Sequence, residues 1–177
     1  MEFKYNVGTI WISGITSSGK TTLGKRLYQN LLAVEGANID FLDGDEIRKL
    51  LGPYGHSIED RFAMLEDVVA LALESNNKGN IVILSSVGHK KKMREYARSK
   101  IPYFMEIFLN CPSNVCVERD YKGLYKKALA GEYETFAGVT EPYEMSDKPE
   151  LILNTDQMSQ ENCSQVLLQN VLNFFKK

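Results

Sequence analysis

At 177 residues, with 44% apolar and 25% charged residues, the chain has the size of one domain and the composition of a soluble globular protein. Such a length buries roughly 70% of the unfolded surface, so the core needs no disulfide or metal staple. A net charge of −2 argues against wholesale nucleic-acid binding, and no apolar run is long enough to cross a bilayer.

Cys111, Cys116 and Cys163 form neither a C-x-x-C pair nor a disulfide framework. The stretch "MEFKYNVGTIW" lacks the basic-then-apolar layout of a signal peptide. A reducing, cytoplasmic setting is the economical expectation.

In chain order, "TIWIS" (9–13) is a short β-branched strand, followed by a glycine-rich turn and the amphipathic helical stretch 20–34. "NIDFL" (38–42) is the second strand. The segment 58–74 places Phe62, Leu65, Val69 and Leu73 along one helical face. "IVILS" (81–85) and "FMEIFL" (104–109) are further strands, with a helix at 113–119. The stretch 121–149, rich in Gly, Lys and Tyr, reads as a short helix followed by a mobile lid. "LILN" (151–154) is a fifth strand and 160–175 a closing helix. This alternation predicts an α/β fold: a parallel sheet with helices on both faces and ligands at the carboxyl ends of its strands.

The turn carries the first chemistry. Gly14-Ile15-Thr16-Ser17-Ser18-Gly19-Lys20-Thr21 matches the P-loop pattern at every specified position. Glycines let successive backbone N–H groups form an anion nest at a helix N-terminus. Lys20 is placed for the β- and γ-phosphates and the Thr21 hydroxyl for Mg²⁺, so the expected ligands are ATP and magnesium. A GTPase is excluded because the chain has no N-K-x-D, and its Asp120/Gly123 pair lies about a hundred residues past the loop.

In "FLDGDEIR" (41–48), Asp43 and Asp45 flank a glycine at the end of the second strand, and Arg48 follows one turn later. A carboxylate there can orient an attacking hydroxyl or take its proton; the competing reading is a helix cap with a surface arginine. Arg119, Lys122, Lys126 and Lys127 form a basic cluster, either a solvated face or charges that close over a transferring phosphate.

"WISGITSSGKTT", "LDGDEIR", "ERDYKGLYKKALAGE", "FAGVTEPYE" and "PELILNT" resemble, in order and spacing, the adenylylsulfate (APS) kinases, across residues 9–156. The resemblance implies a five-stranded P-loop NTPase fold and a homodimer. It also implies transfer of the ATP γ-phosphate to the ribose 3′-hydroxyl of adenylylsulfate. On it, Asp43, Lys20 and Asp45 are the catalytic group. Gly14, Ser17, Ser18, Gly19, Lys20, Thr21, Thr22 and Arg119 hold the nucleotide, with Thr21 on the metal. Arg48 and Arg61 grip the acceptor's 5′-phosphosulfate and Phe136 stacks on its base. His56, Met64, Ser85, Val87 and Lys122 complete the acceptor side.

Departures from the family pattern fall on that acceptor side. His56 stands where an aromatic is usual, Met64 for an Asn, Gly88 for a Ser, and His89 and Lys90 for Pro and an aromatic. Relatives of the family phosphorylate cytidine diphosphoramidate at its 3′-hydroxyl during capsule modification. At this level adenylylsulfate and the cytidine compound both stand as small-molecule acceptors. A solvated basic helix start is the plainer reading of residues 89–92. A nucleotide sensor without catalysis is the contrasting class, disfavoured by the intact Lys20, Thr21, Asp43 and Asp45.

Overall fold

The computed structural model describes residues 5–176; the first four residues of the N-terminal stretch lie outside them. Five strands, β1 (Thr9–Ser13), β2 (Ile39–Asp43), β3 (Ile81–Ser85), β4 (Phe104–Asn110) and β5 (Leu151–Asn154), form one wholly parallel sheet in the order β2-β3-β1-β4-β5. Every residue of β1 and β3 is buried, which explains why they read as unbroken apolar runs without alternation.

Helices α1 (Lys20–Leu32) and α7 (Gln160–Phe175) cover one face, where Leu27, Leu31, Leu167 and Phe175 meet Ile10, Ile12 and Ile107. Helices α3 (Ile58–Asn77) and α4 (Lys91–Lys100) cover the other, packing Leu65, Val69, Ala72, Met93 and Ala97 over Val82, Leu84 and Trp11. The strands, α1, α3 and α7 lie where the periodicity put them, with α3 running three residues past 74. Between β2 and α3 lies the short helix α2 (Gly44–Leu51). Helix α4, legible in sequence only as a basic start, runs ten residues on the narrow apolar seam of Met93 and Ala97.

From β1 the chain leaves to the α1 face, and from the adjacent β3 it leaves to the α4 face. A crevice therefore opens at the carboxyl ends of this pair, the position where open α/β sheets bind ligands.

The expected lid is more tightly held than a free flap. Helix α5 (Ser113–Arg119) leads to α6 (Leu124–Leu129), and the irregular stretch beyond α6 folds back over the P-loop. Buried Tyr125, Phe136 and Ala137 form an apolar cluster with Ile15, Cys111 and Cys116. The Tyr125 hydroxyl donates to the Thr16 carbonyl at 2.9 Å, and the Tyr143 hydroxyl to Ser13 Oγ at 2.9 Å. The reason lies in the aromatics: buried rings supply far more packing area than the surrounding Gly and Lys residues suggest. Among the described residues no helix is long and apolar enough to cross a membrane.

Candidate functional site

The P-loop joins β1 to α1 through three residues of positive φ, Gly14 (146°), Ser17 (62°) and Gly19 (105°). At Gly14 a Cβ would lie 2.8 Å from both the Leu109 carbonyl oxygen and Ser18 Oγ, so both space and backbone call for glycine. This is the geometry that turns backbone N–H groups toward an anion. Ser18 Oγ is buried and has no hydrogen-bond partner, an open valence inside the cradle. Lys20 Nζ donates back to the Ile15 carbonyl at 2.8 Å. Burial pushes its pKa down to about 8, against the opposing pull of Asp45, Cys116 and Asp43.

Thr21 Oγ1 donates to Asp43 Oδ2 at 2.7 Å, while Asp43 Oδ1 accepts the Asp45 amide at 3.0 Å as the N-cap of α2. The two readings of Asp43, helix cap and reactive-site carboxylate, are therefore not exclusive: one oxygen serves each. No cluster of three His, Cys, Asp or Glu side chains suited to a metal exists among the described residues. The Thr21 hydroxyl beside the Asp43 carboxylate fits Mg²⁺, which takes most of its ligands from phosphate oxygens and water and needs few from the protein. Asp45 is joined to Lys122 Nζ at 2.5 Å, linking α2 to the segment after α5. Its own burial raises the Asp45 pKa, but the Lys122 hydrogen bond and the Lys122 and Lys20 charges outweigh that and hold it below the usual carboxylate value.

Beside the loop lies a cleft of about 250 Å³, walled by Ser17, Ser18, Gly19 and Thr22 on one side and Arg119, Tyr121, Thr155 and Met158 on the other. Arg119 is aimed by hydrogen bonds to the Thr155 carbonyl (2.8 Å) and Cys111 Sγ (3.5 Å). Thr155 Oγ1 in turn donates to the Ser18 carbonyl at 2.9 Å. Five expected nucleotide residues, Ser17, Ser18, Gly19, Thr22 and Arg119, thus line one cleft beside the phosphate cradle. Tyr121 and Thr155 lie within stretches that carry the family resemblance but have no role read from it, and Met158 lies in none; the return of β5 beside β4 brings Thr155 and Met158 there.

On α2, beyond Asp43, Arg48 donates to the Tyr54 and Gly55 carbonyls at 3.0 and 2.7 Å. Arg61 donates to the carbonyls of His56 (3.0 Å) and Thr135 (3.0 Å). Phe136 is buried edge-on to Tyr125, with ring centroids 5.0 Å apart, and lies 5.6 Å from Tyr133, which meets His56 at 5.9 Å. His56, though exposed, therefore ends an aromatic row and is not isolated. The Val87 carbonyl accepts the Gly14 amide at 3.4 Å, and Ser85 Oγ is buried without a partner at the end of β3, in register with Asp43.

Several acceptor-side expectations change in the structure. Met64 is only 8% exposed and packs in the core with Ile47 and Leu65, so it offers little surface to a ligand. At Gly88, with φ +53°, a Cβ would lie 2.6 Å from the Trp11 ring, so glycine there has a packing cause. Residues 89–92 are not a solvated basic face. Lys90 pairs with Glu141 (2.5 Å) and Glu144 (3.3 Å), Lys91 pairs with Asp147 and Glu95, and Lys92 rests over Phe62. His89 is 2% exposed. An open depression of about 610 Å³ between Ile58, Lys90 and Glu144 is thus rimmed by charges already paired within the chain.

Residues 6–154 match the family model described as adenylylsulphate kinase. The adenylyl-sulfate kinase of Microcystis aeruginosa is 40% identical over 149 residues, covering 84% of this chain and 82% of that one. The adenylyl-sulfate kinase of Rippkaea orientalis is 41% identical over 149 residues, covering 84% and 82%. The structure of the Mycobacterium tuberculosis APS kinase CysC in complex with AMPPNP and APS superposes with a TM-score of 0.87 at 29% identity, covering 95% of this chain and 99% of that one. A P-loop followed by an Asp-Gly-Asp strand end, on this strand order and with matches over this much of the chain, makes the protein a member of the adenylylsulphate kinase family.

Proposed function

We propose that the protein is an ATP- and Mg²⁺-dependent kinase that transfers the γ-phosphoryl group to the ribose 3′-hydroxyl of adenylylsulfate. The observation that carries this reading is the contact between Thr21 and Asp43, which sets a carboxylate beside the metal-binding hydroxyl at the mouth of the P-loop. Lys20, once released from the Ile15 carbonyl, balances charge on the β- and γ-phosphates, and Arg119 borders the nucleoside end. Bound Mg²⁺ would neutralise charge across the same phosphates. Asp43 orients the attacking hydroxyl and accepts its proton, Asp45 and Lys122 border the transferring group, and Arg48 and Arg61 hold the acceptor's anionic tail. In a loose phosphoryl-transfer transition state such positioning and charge balance supply most of the catalysis.

Adenylylsulfate is the acceptor carried forward. Two of the departures that suggested a cytidine compound, at Met64 and Gly88, have packing causes, and the relatives named above are adenylyl-sulfate kinases. The family resemblance also carries a homodimer in the cytoplasm, built on a single kinase domain; exposed Leu50 and Leu129 are apolar side chains available to a second copy. Sedimentation equilibrium tests that assembly. The function is tested by ADP release from ATP–Mg²⁺ with adenylylsulfate present, and by phosphorus NMR of the product. A 3′-monoester supports the reading. ATP binding without acceptor-dependent ADP release would mark a sensor and overturn it.

A further inference from the structure

Among the described residues three buried side-chain polar atoms lack a hydrogen-bond partner: Ser18 Oγ, Ser85 Oγ and His89 Nε2. Such orphans are rare because each forfeits the full desolvation penalty of the group, and those that persist ask for an explanation. All three lie at the carboxyl edge of the sheet. Ser18 belongs to the phosphate cradle and Ser85 stands beside Asp43. His89 is the one that the phosphoryl-transfer machinery leaves unused.

The course of residues 85–89 shows where this imidazole sits. Ser86 packs on Gly44, where an added Cβ would come within 2.8 Å of the Ser86 Cβ. Val87 touches the P-loop through the Gly14 amide, and Gly88 rides on the Trp11 ring. The His89 carbonyl then accepts the Glu144 amide at 2.8 Å. The loop thus starts at the Asp43–Gly44 corner and ends between α3, α4 and the segment 141–144. The charged groups that act on the ring are Arg61 from α3, Lys90 at the start of α4, and Glu141 and Glu144. Lys90 is committed to the two glutamates, and Lys91 and Lys92 are engaged elsewhere. Of the basic run at 89–92, His89 is the buried member, and its Nε2 has no hydrogen-bond partner, whereas Lys92 is exposed over the Phe62 ring. Burial, with Arg61 and Lys90 adding to it, lowers its pKa to about 4, so the ring is neutral at physiological pH and offers one N–H and one lone pair.

We propose that His89 is an acceptor-recognition residue whose Nε2–H donates a hydrogen bond to an oxygen of the anionic group borne on the acceptor's 5′-phosphate, beside Arg61. This rests on the proposed nucleotide acceptor. A neutral donor adds direction without adding charge, so it discriminates by which atom the tail presents, oxygen or N–H. An unmet partner at a buried site is the strongest source of such selectivity.

The first test needs no variant. The chain has two histidines, so the imidazole ¹⁵N spectrum holds two sets of signals, assignable with His56→Gln. With AMPPNP–Mg²⁺ present, saturating adenylylsulfate is expected to move the His89 Nε2 signal while it stays of the protonated type. In kinetics, His89→Ala is expected to raise the acceptor KM about tenfold or more, with kcat and the ATP KM within about twofold. His89→Gln, which keeps a donor, recovers most of the loss. A His89 signal unmoved at saturation, while adenylylsulfate is turned over, overturns the proposal and leaves the acceptor reading standing. If adenylylsulfate neither binds nor reacts, the reading fails, and the same titration is run with cytidine diphosphoramidate. Movement of His89 then upholds its role in tail recognition, and no movement with either compound overturns it.

Discussion

Thr21 and Asp43 are 22 positions apart in the chain, yet the threonine hydroxyl donates to the aspartate carboxylate at 2.7 Å. The other oxygen of Asp43 caps α2 through the Asp45 amide. A single carboxylate thereby fixes the distance between the P-loop helix and the second strand. Asp43→Ser retains a capping oxygen but removes the carboxylate. We expect turnover to fall by about 10²–10⁴-fold with little loss of stability. Asp43→Ala should lose the same activity and a further ~1 kcal/mol of stability. ADP release and urea unfolding, measured in parallel, separate the two roles.

Lys20 provides a pH signature. Its folded pKa, about 8, lies below the ordinary 10.5, so between those values the unfolded chain binds more protons than the folded one. Stability of the nucleotide-free protein should therefore gain a rising contribution from pH 8 to pH 10.5, and Lys20→Met should remove that rise. Melting temperatures across this window are the measurement. An identical slope in both proteins would show that the ammonium is not desolvated in the loop.

Gly88 combines a φ of +53° with a prospective Cβ clash against Trp11. Gly88→Ala should cost about 2 kcal/mol or more, from backbone strain and displacement of a buried indole. Trp11 is the only tryptophan and is 1% exposed, so its fluorescence reports the displacement directly.

Arg94 and Glu106, 1% and 3% exposed, form a buried ion pair at 2.9 Å. The guanidinium also donates to the Gly88 and Glu144 carbonyls and lies against the Tyr143 ring. Arg94→Met leaves buried Glu106 with Arg98 at 3.5 Å and the Ser146 hydroxyl, so the loss should fall at or below the lower end of the about 3–5 kcal/mol expected for a fully stranded buried charge. Arg94→Met with Glu106→Leu should recover part of that loss. A double-mutant cycle in urea measures the coupling.

The Lys122–Asp45 bridge is exposed, with 61% and 64% of the two side chains in solvent. Solvent screening leaves it less than about 1 kcal/mol of stability. Lys122→Ala should therefore unfold almost as the parent does while losing acceptor-dependent turnover at least tenfold. Equal losses of both would mark Lys122 as a structural strut.

Local pattern was enough for the strands, the long helices α1, α3 and α7, and the donor half of the site. Strands buried on both faces are uniformly apolar, and a P-loop is local: its glycines, Lys20 and Thr21 lie within eight residues, so backbone conformation and chemistry are written together. The strand order was not legible, because β1 pairs with β3 and β4 through contacts tens of residues distant. The acceptor side depended on the same long-range assembly. Met64 and His89 are, as letters, a departure at a contact position and a member of a basic run. Only packing decided that Met64 fills the core, that Gly88 yields room to Trp11, and that His89 is buried with an open valence. The 121–149 stretch looked loose because it has few strand signals and its glycines, lysines and tyrosines show no regular spacing. It is held down by Tyr125, Tyr143 and Phe136, whose partners, Thr16, Ser13 and Ile15, lie more than a hundred positions earlier, and burial against them outweighs local composition.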